Sequence, residues 1–163
     1  MTDKITKERR SYTMSRIRSR DTKPEVLVRK YLFSRGLRFR KNDKRLPGHP
    51  DVVLPKYRAA VFVNGCFWHQ HEGCRHAGIP DDNREYWEEK FRRNKKRDAE
   101  KTRLLELAGW RVIVVWECQL MPKVRADALD DLYNEITAYA GLMPAPAMVA
   151  EEPAAYVVDG AEN

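Results

Sequence analysis

Apolar residues recur at helical spacing in three stretches of the chain, and short apolar runs lie between these stretches. The first helical stretch opens on Thr22-Lys23-Pro24-Glu25, in which a threonine, a proline and a glutamate three residues after the threonine form a capping box. The helix should run to about Arg35 and end at Gly36. Its inward stripe would comprise Leu27, Val28, Tyr31 and Leu32. Glu25 thereby has a complete structural explanation as the capping carboxylate.

Runs of apolar residues bounded by turn residues predict three strands in the middle of the chain, over 37–41, 51–54 and 59–63. The third run suits a strand buried on both faces. Asp51 is an unusual first residue for an apolar strand and therefore marks a special position. The alternative is that Asp51 ends a turn and faces water. If the second and third strands form a hairpin, Asp51 lies close to Asn64.

A long helix is predicted from the N-cap candidates Asp82 and Asn83 to about Ala108, with Gly109 after it. Asp98 falls on the apolar stripe of this helix, where a carboxylate is costly unless it meets a partner or a metal. The alternative is an ion pair with a Lys or Arg of the same helix. A buried strand over 110–116 and an amphipathic helix over 125–139 complete an α/β order around one sheet with mixed strand directions.

The charge is unevenly distributed along the 163 residues. The net charge is +7, and residues 1–45 hold 16 Lys or Arg against 5 Asp or Glu, whereas 8 acids and no Lys or Arg follow Arg125. This asymmetry favours a polyanionic partner such as nucleic acid over a basic surface kept for solubility.

The length predicts one domain at 21–140, preceded by a basic arm at 1–20 that could lie on a phosphate backbone and followed by a disordered tail at 141–163. The alternative for the arm is a disordered tail. No apolar run approaches a membrane span and the N-terminus lacks a signal-type segment, so we expect a cytosolic protein.

Cys66, His71, Cys74 and Cys118 form a candidate zinc site, because three cysteines and a histidine make a closed tetrahedral set. All three cysteines of the chain are then used. The histidine is ambiguous, since His69, His71 and His76 all lie near enough in sequence. Buried cysteines without a metal, beside a surface histidine, are the alternative.

The remaining polar and aromatic residues of this region suggest nuclease chemistry. Phe67 and Trp68 are adjacent aromatics in a basic protein, where exposed rings stack on or insert between bases; core packing is the alternative. Asp51, Glu25 and Asp98 could surround a hard cation such as Mg²⁺, with His69 as a general base or as a stabiliser of phosphate charge. Spacing alone does not single out these three acids, because scattered acids are found in any domain of this size.

Several motifs together resemble those of the very short patch repair endonucleases, bacterial enzymes that nick DNA beside T:G mismatches. The resemblance covers about 11–120 and is highly specific when the motifs are combined. The matching motifs are Arg20-Asp-Thr-x-x-Glu25, Leu46-Pro-Gly-x-Pro-Asp51, Gly65-Cys-Phe-Trp-His69 with His71 and Cys74, Tyr86-Trp87, Asn94 to Asp98, and Gly109-Trp-Arg-Val with Val-Trp-Glu-Cys118.

The resemblance implies a restriction-endonuclease-like fold with Mg²⁺ for catalysis and Zn²⁺ for structure. Asp51 would bind the catalytic metal together with the backbone carbonyl of Val63, Glu25 and Asp98 would hold water on that metal, and His69 would be the catalytic histidine. The implied zinc ligands are Cys66, His71, Cys74 and Cys118. The implied DNA contacts are Met14 and Ile17 on the minor-groove side and Phe67, Trp68 and Trp87 on the major-groove side.

The implied substrate is double-stranded DNA with a T:G mismatch, nicked 5′ to the thymine to start repair of deaminated 5-methylcytosine. A monomer at the bacterial nucleoid, with mismatch-repair proteins as further partners, would fit. Asn64 departs from members that have a second active-site histidine there, and the spacing from His71 to Cys74 is one residue longer than in a known member, which Gly73 should absorb. Two alternatives are a zinc-stabilised protein that binds distorted DNA without cutting it and a restriction-type nuclease of the same fold.

Overall fold

The computed structural model describes residues 6–17 and 19–139, which form four helices and four strands. The helices are α1 Lys7–Ser15, α2 Lys23–Ser34, α3 Arg84–Leu107 and α4 Arg125–Thr137. The strands are β1 Arg40–Lys41, β2 Val52–Leu54, β3 Ala59–Asn64 and β4 Arg111–Trp116. The predicted α/β architecture is confirmed, and the two strands predicted at 37–41 and 51–54 are shorter than expected.

One mixed sheet with the strand order β1-β2-β3-β4 forms the centre of the fold. β1, β2 and β3 are antiparallel neighbours, whereas β3 and β4 are parallel. The predicted hairpin of β2 and β3 is confirmed, and a 3₁₀ turn at Pro55–Tyr57 connects its strands. A parallel pair needs a long crossover connection, which here contains α3.

The main core lies between the sheet and the two helices α2 and α4. Its buried members include Val28 and Leu32 of α2, Val52, Leu54 and Val61 of the hairpin, Ile113 and Val115 of β4, and Leu129, Leu132 and Ile136 of α4. Val53 and Ala60 alternate with these strand residues and are also fully buried. The hairpin is therefore covered on both faces, but β3 becomes half-exposed from Phe62 to Asn64. A functional site can open at this end of β3.

The helix ends agree with the predicted signals, although the N-cap residue of α3 makes no capping hydrogen bond through its side chain. Thr22 caps α2 by accepting a hydrogen bond from the backbone N–H of Glu25, and Gly36 and Gly109 have positive φ angles of 83° and 81° after α2 and α3. Asn83 occupies the N-cap position of α3 with φ 56° but makes no capping hydrogen bond through its side chain. The predicted N-cap position is therefore confirmed for Asn83, although the left-handed backbone of this residue replaces the extended conformation that a side-chain cap uses.

The N-terminal arm is partly helical, as predicted, and it contacts the start of α3. Thr6 caps α1 by accepting a hydrogen bond from the backbone N–H of Arg9, and Arg10 lies 3.8 Å from the carboxylate of Asp82. The predicted tail at 141–163 lies outside the described residues. Over 6–17 and 19–139, no helix has both the length and the apolar character that a membrane crossing requires.

Candidate active site and metal cluster

Asp51 lies at the open end of the hairpin, directly before β2. Its Oδ2 accepts a hydrogen bond of 2.7 Å from the backbone N–H of Val63 across the hairpin. The side chain therefore does not face bulk water at the end of a turn, which was the alternative interpretation. Asp51 and Asn64 line the same cavity, as the hairpin pairing predicted.

Burial raises the pKa of the Asp51 carboxyl to about 6, and the nearby Glu25 carboxylate acts in the same direction. The hydrogen bond from Val63 and the charges of Arg29 and His69 oppose this rise. A carboxylate in such surroundings gains from a cation that neutralises it. The electrostatics of the site therefore favour a bound positive charge beside Asp51.

Glu25 is buried, with only 5% of its surface exposed, and its two oxygens differ in their surroundings. Oε1 accepts a hydrogen bond of 2.9 Å from the hydroxyl of Thr22, as a residue of the first helical turn can. Oε2 lies 3.6 Å from Nη1 of Arg29 and has no hydrogen-bond partner among the described residues. The capping role therefore accounts for one oxygen of Glu25 and leaves the other unexplained.

His69 and Asp98 form a hydrogen-bonded pair, with 2.6 Å between Nδ1 of His69 and Oδ2 of Asp98. This pair explains the carboxylate on the apolar stripe of α3, whose partner is His69 and not a Lys or Arg of the same helix. A carboxylate that accepts from Nδ1–H holds the imidazole in the tautomer whose Nε2 can accept a proton. His69 thus has the local arrangement of a general base.

Asp51, Glu25, Val63, Asn64 and His69 line one cavity of about 590 Å³. Sequence reasoning missed the polar residues that complete its wall, and the turn sequences at 19–20 and 42–49 were the signal that could have revealed them. These residues are Ser19, Arg20, Asn42, Lys44 and His49. The basic members would favour an anion such as a phosphate.

Gly48 shapes the wall of this cavity. It has a φ of 81°, and a Cβ at this position would lie 2.9 Å from Cδ of Lys101 and 3.2 Å from Cζ of Phe62. Any larger residue would therefore meet both strain and crowding. The turn sequence Leu46-Pro-Gly-His-Pro50 consequently needs its glycine to deliver the chain into Asp51.

The ligand atoms of Cys66, His71, Cys74 and Cys118 all lie within 4.8 Å of one another. Nδ1 of His71 is 3.7 Å from the sulfur of Cys66 and 3.4 Å from that of Cys118. Such separations fit four ligands around one tetrahedral ion, since the Zn–S distance is about 2.3 Å and the Zn–N distance about 2.0 Å. The residues present therefore suit a metal of the zinc type.

The structure distinguishes the three candidate histidines. His71 belongs to the cluster, and its ring stacks on Trp116 at 4.2 Å between centroids. His69 pairs with Asp98, while His76 accepts a hydrogen bond from the side chain of Arg75 at the surface. Gly73, with φ 69°, makes the turn between His71 and Cys74.

The thiols of the cluster are in different electrostatic surroundings. Burial raises the pKa of Cys66 to about 12, whereas a hydrogen bond from the backbone N–H of His76 lowers the pKa of Cys74. Because metals bind thiolates, a bound cation would displace the proton that Cys66 otherwise retains. Metal binding at this cluster should therefore release protons.

An aromatic cluster lies beside the cavity, where α3 meets the loop after β3. The ring of Phe67 contacts those of Trp68, Trp87 and Phe91 at centroid distances of 5.0, 5.4 and 5.1 Å. Phe91 is buried, so Phe67 is partly a core residue. Asn94 donates a hydrogen bond of 3.0 Å to the carbonyl of Trp68 and holds the loop against α3.

The arm faces the same aromatic cluster. Met14 and Ile17 are 41% and 48% exposed, and together with Trp68 and Trp87 they line a cleft of about 560 Å³. Lys90 and Tyr86 also line it, and the ammonium of Lys90 lies over three aromatic rings at 5.3 to 5.7 Å. Sequence reasoning gave no role to Lys90 or Tyr86, although the pair Tyr86-Trp87 was conspicuous.

The family description "DNA mismatch endonuclease Vsr" matches residues 2–75. The chain is also 50% identical over 137 residues to the type II nicking enzyme V.NmeAIP of Neisseria meningitidis, covering 83% of this chain and 97% of that relative. The chain belongs to the Vsr family. It is 49% identical over 120 residues to V.XorIIP of Xanthomonas oryzae, another type II nicking enzyme, covering 74% of this chain and 88% of the relative.

The Vsr endonuclease of Escherichia coli is 40% identical to this chain over 137 residues, covering 83% of this chain and 87% of that protein. The chain is accordingly a DNA endonuclease, a hydrolase that nicks DNA. This membership speaks against the alternative of a non-cleaving DNA-binding protein. The Vsr match over 2–75 includes the arm, Glu25, Asp51, His69 and three members of the Cys/His cluster.

Proposed function

We propose that this chain is a Mg²⁺-dependent endonuclease that nicks one strand of duplex DNA 5′ to the thymine of a T:G mismatch. The nick would initiate very short patch repair of deaminated 5-methylcytosine. The observation that carries the proposal is the cavity where Asp51, Glu25 and His69, the hydrogen-bond partner of Asp98, meet beside an aromatic cleft. The T:G specificity rests on the resemblance of the motifs, and the name "DNA mismatch endonuclease" of the E. coli relative supports it.

Asp51 and the backbone carbonyl of Val63 would hold Mg²⁺ in this cavity. The fit is supported by the raised pKa of Asp51 and by the buried Oε2 of Glu25 that lacks a hydrogen-bond partner among the described residues. Carboxylate and carbonyl oxygens are the ligands that Mg²⁺ prefers. When bound, Mg²⁺ supplies Lewis-acid polarisation of the phosphate and a lower pKa for water.

His69 would take the proton of the attacking water through Nε2. Asp98 accepts from Nδ1–H, keeps the ring in the required tautomer and stabilises the positive charge that the ring acquires. Glu25 and, through its second oxygen, Asp98 would orient water near the phosphate. Because Asn64 cannot act as a base, we assign the proton transfer to His69 alone.

The Cys66, His71, Cys74 and Cys118 cluster would bind Zn²⁺ as a structural ion. Four protein ligands leave no open position for substrate, which distinguishes structural from catalytic zinc sites. The ion would attach the loop after β3 to the end of β4, because Cys118 lies two residues after Trp116, the last residue of that strand. His69 and the aromatic residues of the loop would then project from a rigid base.

DNA would lie across the cavity and the aromatic cleft. Phe67, Trp68 and Trp87 would enter the duplex at the mismatch from the major groove, and Met14 and Ile17 would approach from the minor groove. The arm at 1–20, a restriction-endonuclease-like domain at 21–140 and action as a monomer are parts of this proposal. Contacts with mismatch-repair proteins would follow the nick.

The test is a nicking assay on end-labelled duplexes that differ only in a T:G or T:A pair, in several flanking sequences. We expect a nick 5′ to the mismatched thymine with Mg²⁺, no nick with chelator, and at least a hundredfold slower nicking of the T:A duplex. Asp51→Ala provides the inactive control. Full activity of that variant would refute the mechanism, and equal nicking of T:G and T:A duplexes would indicate a restriction-type nuclease instead.

A further inference from the structure

Arg29 is a buried cation one helical turn after Glu25 in α2, and the resemblance to the family assigned no role to it. Only 8% of its surface is exposed. A charged side chain at this depth is costly unless it is paired and hydrogen-bonded. The contacts of its guanidinium group therefore indicate the role of this side chain.

The guanidinium of Arg29 lies between two carboxylates. Its Nη2 is 2.5 Å from Oδ1 of Asp21, a close charge-assisted hydrogen bond. Its Nη1 is 3.6 Å from Oε2 of Glu25, which is within ion-pair range but too long for a hydrogen bond. Arg29 is thus tightly bound to Asp21 and loosely bound to Glu25.

The loose contact leaves two buried atoms without hydrogen bonds. Within the described part of the chain, Nη1 of Arg29 and Oε2 of Glu25 have no hydrogen-bond partner, and the two side chains are 9% and 6% exposed. An ion pair that served stability alone would be expected to close into direct hydrogen bonds. Glu25 lines the candidate catalytic cavity, and a buried pair that is left unsatisfied directly behind such a wall calls for a functional explanation.

Asp21 marks the point where the arm joins the domain. Its backbone has φ 51°, which is uncommon for a residue with a side chain, and its carboxylate also lies 3.5 Å from Nζ of Lys41 in β1. The preceding residue, Arg20, lines the same cavity as Glu25 and Asp51. The position of the arm and the position of Glu25 therefore meet at one guanidinium group.

We propose that Arg29 is a positioning residue for nicking: Asp21 holds the guanidinium group in place, and this group orients the Glu25 carboxylate at the cavity. This inference rests on the proposed role of Glu25 in the reaction. Arg29 acts through Glu25, with Asp21 as its anchor, and does not itself touch the reacting phosphate. Lysine would preserve the charge but would not reach both carboxylates with a planar fork.

The test is a double-mutant cycle between Arg29→Met and Glu25→Gln, measured as the single-turnover nicking rate with saturating enzyme. The substrate is whichever duplex, T:G or T:A, the unmodified enzyme nicks fastest. We expect Arg29→Met alone to slow nicking by about 10- to 100-fold, because small errors in placement are costly in catalysis. In the Glu25→Gln background the same change should slow nicking by less than about twofold, because both residues act through one carboxylate.

Three further measurements separate positioning from a general loss of structure. The Kd for the duplex in chelator should change by less than about threefold, and Arg29→Lys should recover only part of the rate. The side chain of Asp21 is 46% exposed. Asp21→Asn removes the ion pair that anchors Arg29 and should therefore slow nicking without unfolding the protein. Lys30→Met is the matched control, since Lys30 is an exposed cation next to Arg29 on the same helix.

The proposal is overturned if the two substitutions slow nicking multiplicatively, if Glu25→Gln is fully active, or if Arg29→Met lowers Tm while the nicking rate is unchanged. Should Arg29→Met fail to fold, the cycle is run with Arg29→Lys and Asp21→Asn, and full activity of both overturns it equally. A missing preference for T:G duplexes would refute the proposed specificity, but the cycle would still be measured on the duplex that is nicked.

Discussion

Two sites with opposite chemistry share the loop after β3, which contributes His69 to one and Cys66, His71 and Cys74 to the other. The Cys66, His71, Cys74 and Cys118 cluster brings four soft ligand atoms within 4.8 Å of one another, away from the large cavity. The Asp51 site instead spreads hard oxygen ligands and His69 around a cavity of about 590 Å³. Four ligand atoms that converge on one point leave no place for a substrate. An open arrangement of side chains around a cavity leaves room for one.

The two sites also differ in what satisfies their polar groups. Asp51 accepts from Val63 and His69 binds Asp98, so the protein itself orients the groups around the cavity. In the cluster, burial raises the pKa of Cys66 to about 12, and a metal is the natural partner for its sulfur. Removing a ligand should therefore affect folding at the cluster and catalysis at the cavity.

The largest expected effect is at the cluster. His71→Ala should reduce bound zinc from about one ion per chain to near zero and lower Tm by more than about 10 °C, because structural zinc contributes strongly to folding. Metal analysis and thermal melts measure both quantities. Nicking should be lost together with the fold.

His76→Ala is the matched control for that experiment, because His76 lies near the cluster but is outside it. This variant should keep its bound zinc, and its Tm should equal that of the unmodified chain. A variant lacking His71 that kept its zinc would show that the two sites are not divided as the geometry indicates.

The second effect is confined to catalysis at the cavity. His69→Ala should slow nicking by about 10³-fold, within the range for loss of a general base, while zinc content, Tm and DNA affinity remain close to those of the unmodified enzyme. Single-turnover assays with saturating enzyme measure the rate. Loss of zinc in this variant would show that the two sites form one structural unit.

A smaller effect should follow from Asp98→Asn. The amide oxygen can still accept from Nδ1–H of His69, but it cannot stabilise the charge that His69 acquires, so we expect nicking to slow by about 10- to 100-fold. The rate should fall at saturating DNA with little change in Kd. Loss of affinity instead of rate would assign Asp98 to DNA binding.

The smallest effect is one of stability and has a defined pH dependence. The pKa of Asp51 is raised from 3.8 to about 6 in the folded chain, so the folded state holds the proton more tightly than the unfolded state. This contribution to stability is present below pH 4 and is lost as the pH rises through about 6. In chelator, Asp51→Asn should therefore be more stable than the unmodified chain at pH 7.5, by about 3 kcal/mol, and equally stable near pH 4.

Denaturant melts at several pH values measure this difference. Asp131→Asn, at an exposed position of α4, is the control and should show no such pH dependence. If the stability of Asp51→Asn and that of the unmodified chain changed with pH in parallel, burial would not raise the pKa of Asp51. Added Mg²⁺ should stabilise the unmodified chain but not Asp51→Asn, if Asp51 holds the metal.

Local patterns sufficed for most of the elements and for part of the sites. Thr22, Gly36 and Gly109 mark helix ends through short-range hydrogen bonding and backbone conformation, and the structure has them in those roles. The composition of the cluster was also predictable, since Cys and His residues at metal-ligand spacing are rare. Asn83 occupies the predicted N-cap position, but its left-handed backbone excludes the usual side-chain hydrogen bond.

Contacts between distant segments required the tertiary structure. Asp98 was recognisable as a misplaced carboxylate, but only the packing of α3 beside the loop after β3 shows that its partner is His69. The choice of His71 over His69 and His76 as the cluster histidine likewise depended on distances from Cys118 at the end of β4. In the sequence Arg29 is an ordinary cation of a helix, and only the structure shows that its guanidinium group lies between Asp21 and Glu25.

By itself, the sequence determined that this protein is a basic α/β domain of the Vsr family, with a nuclease-type set of acids and a soft metal-binding set in one loop. The tertiary structure alone decided which acid meets which histidine, which sulfur meets which ring, and that Arg29 joins the arm to Glu25. The physical reason is range: capping, turns and periodicity act over a few residues, whereas the groups of the cavity are brought together by strand pairing and helix packing.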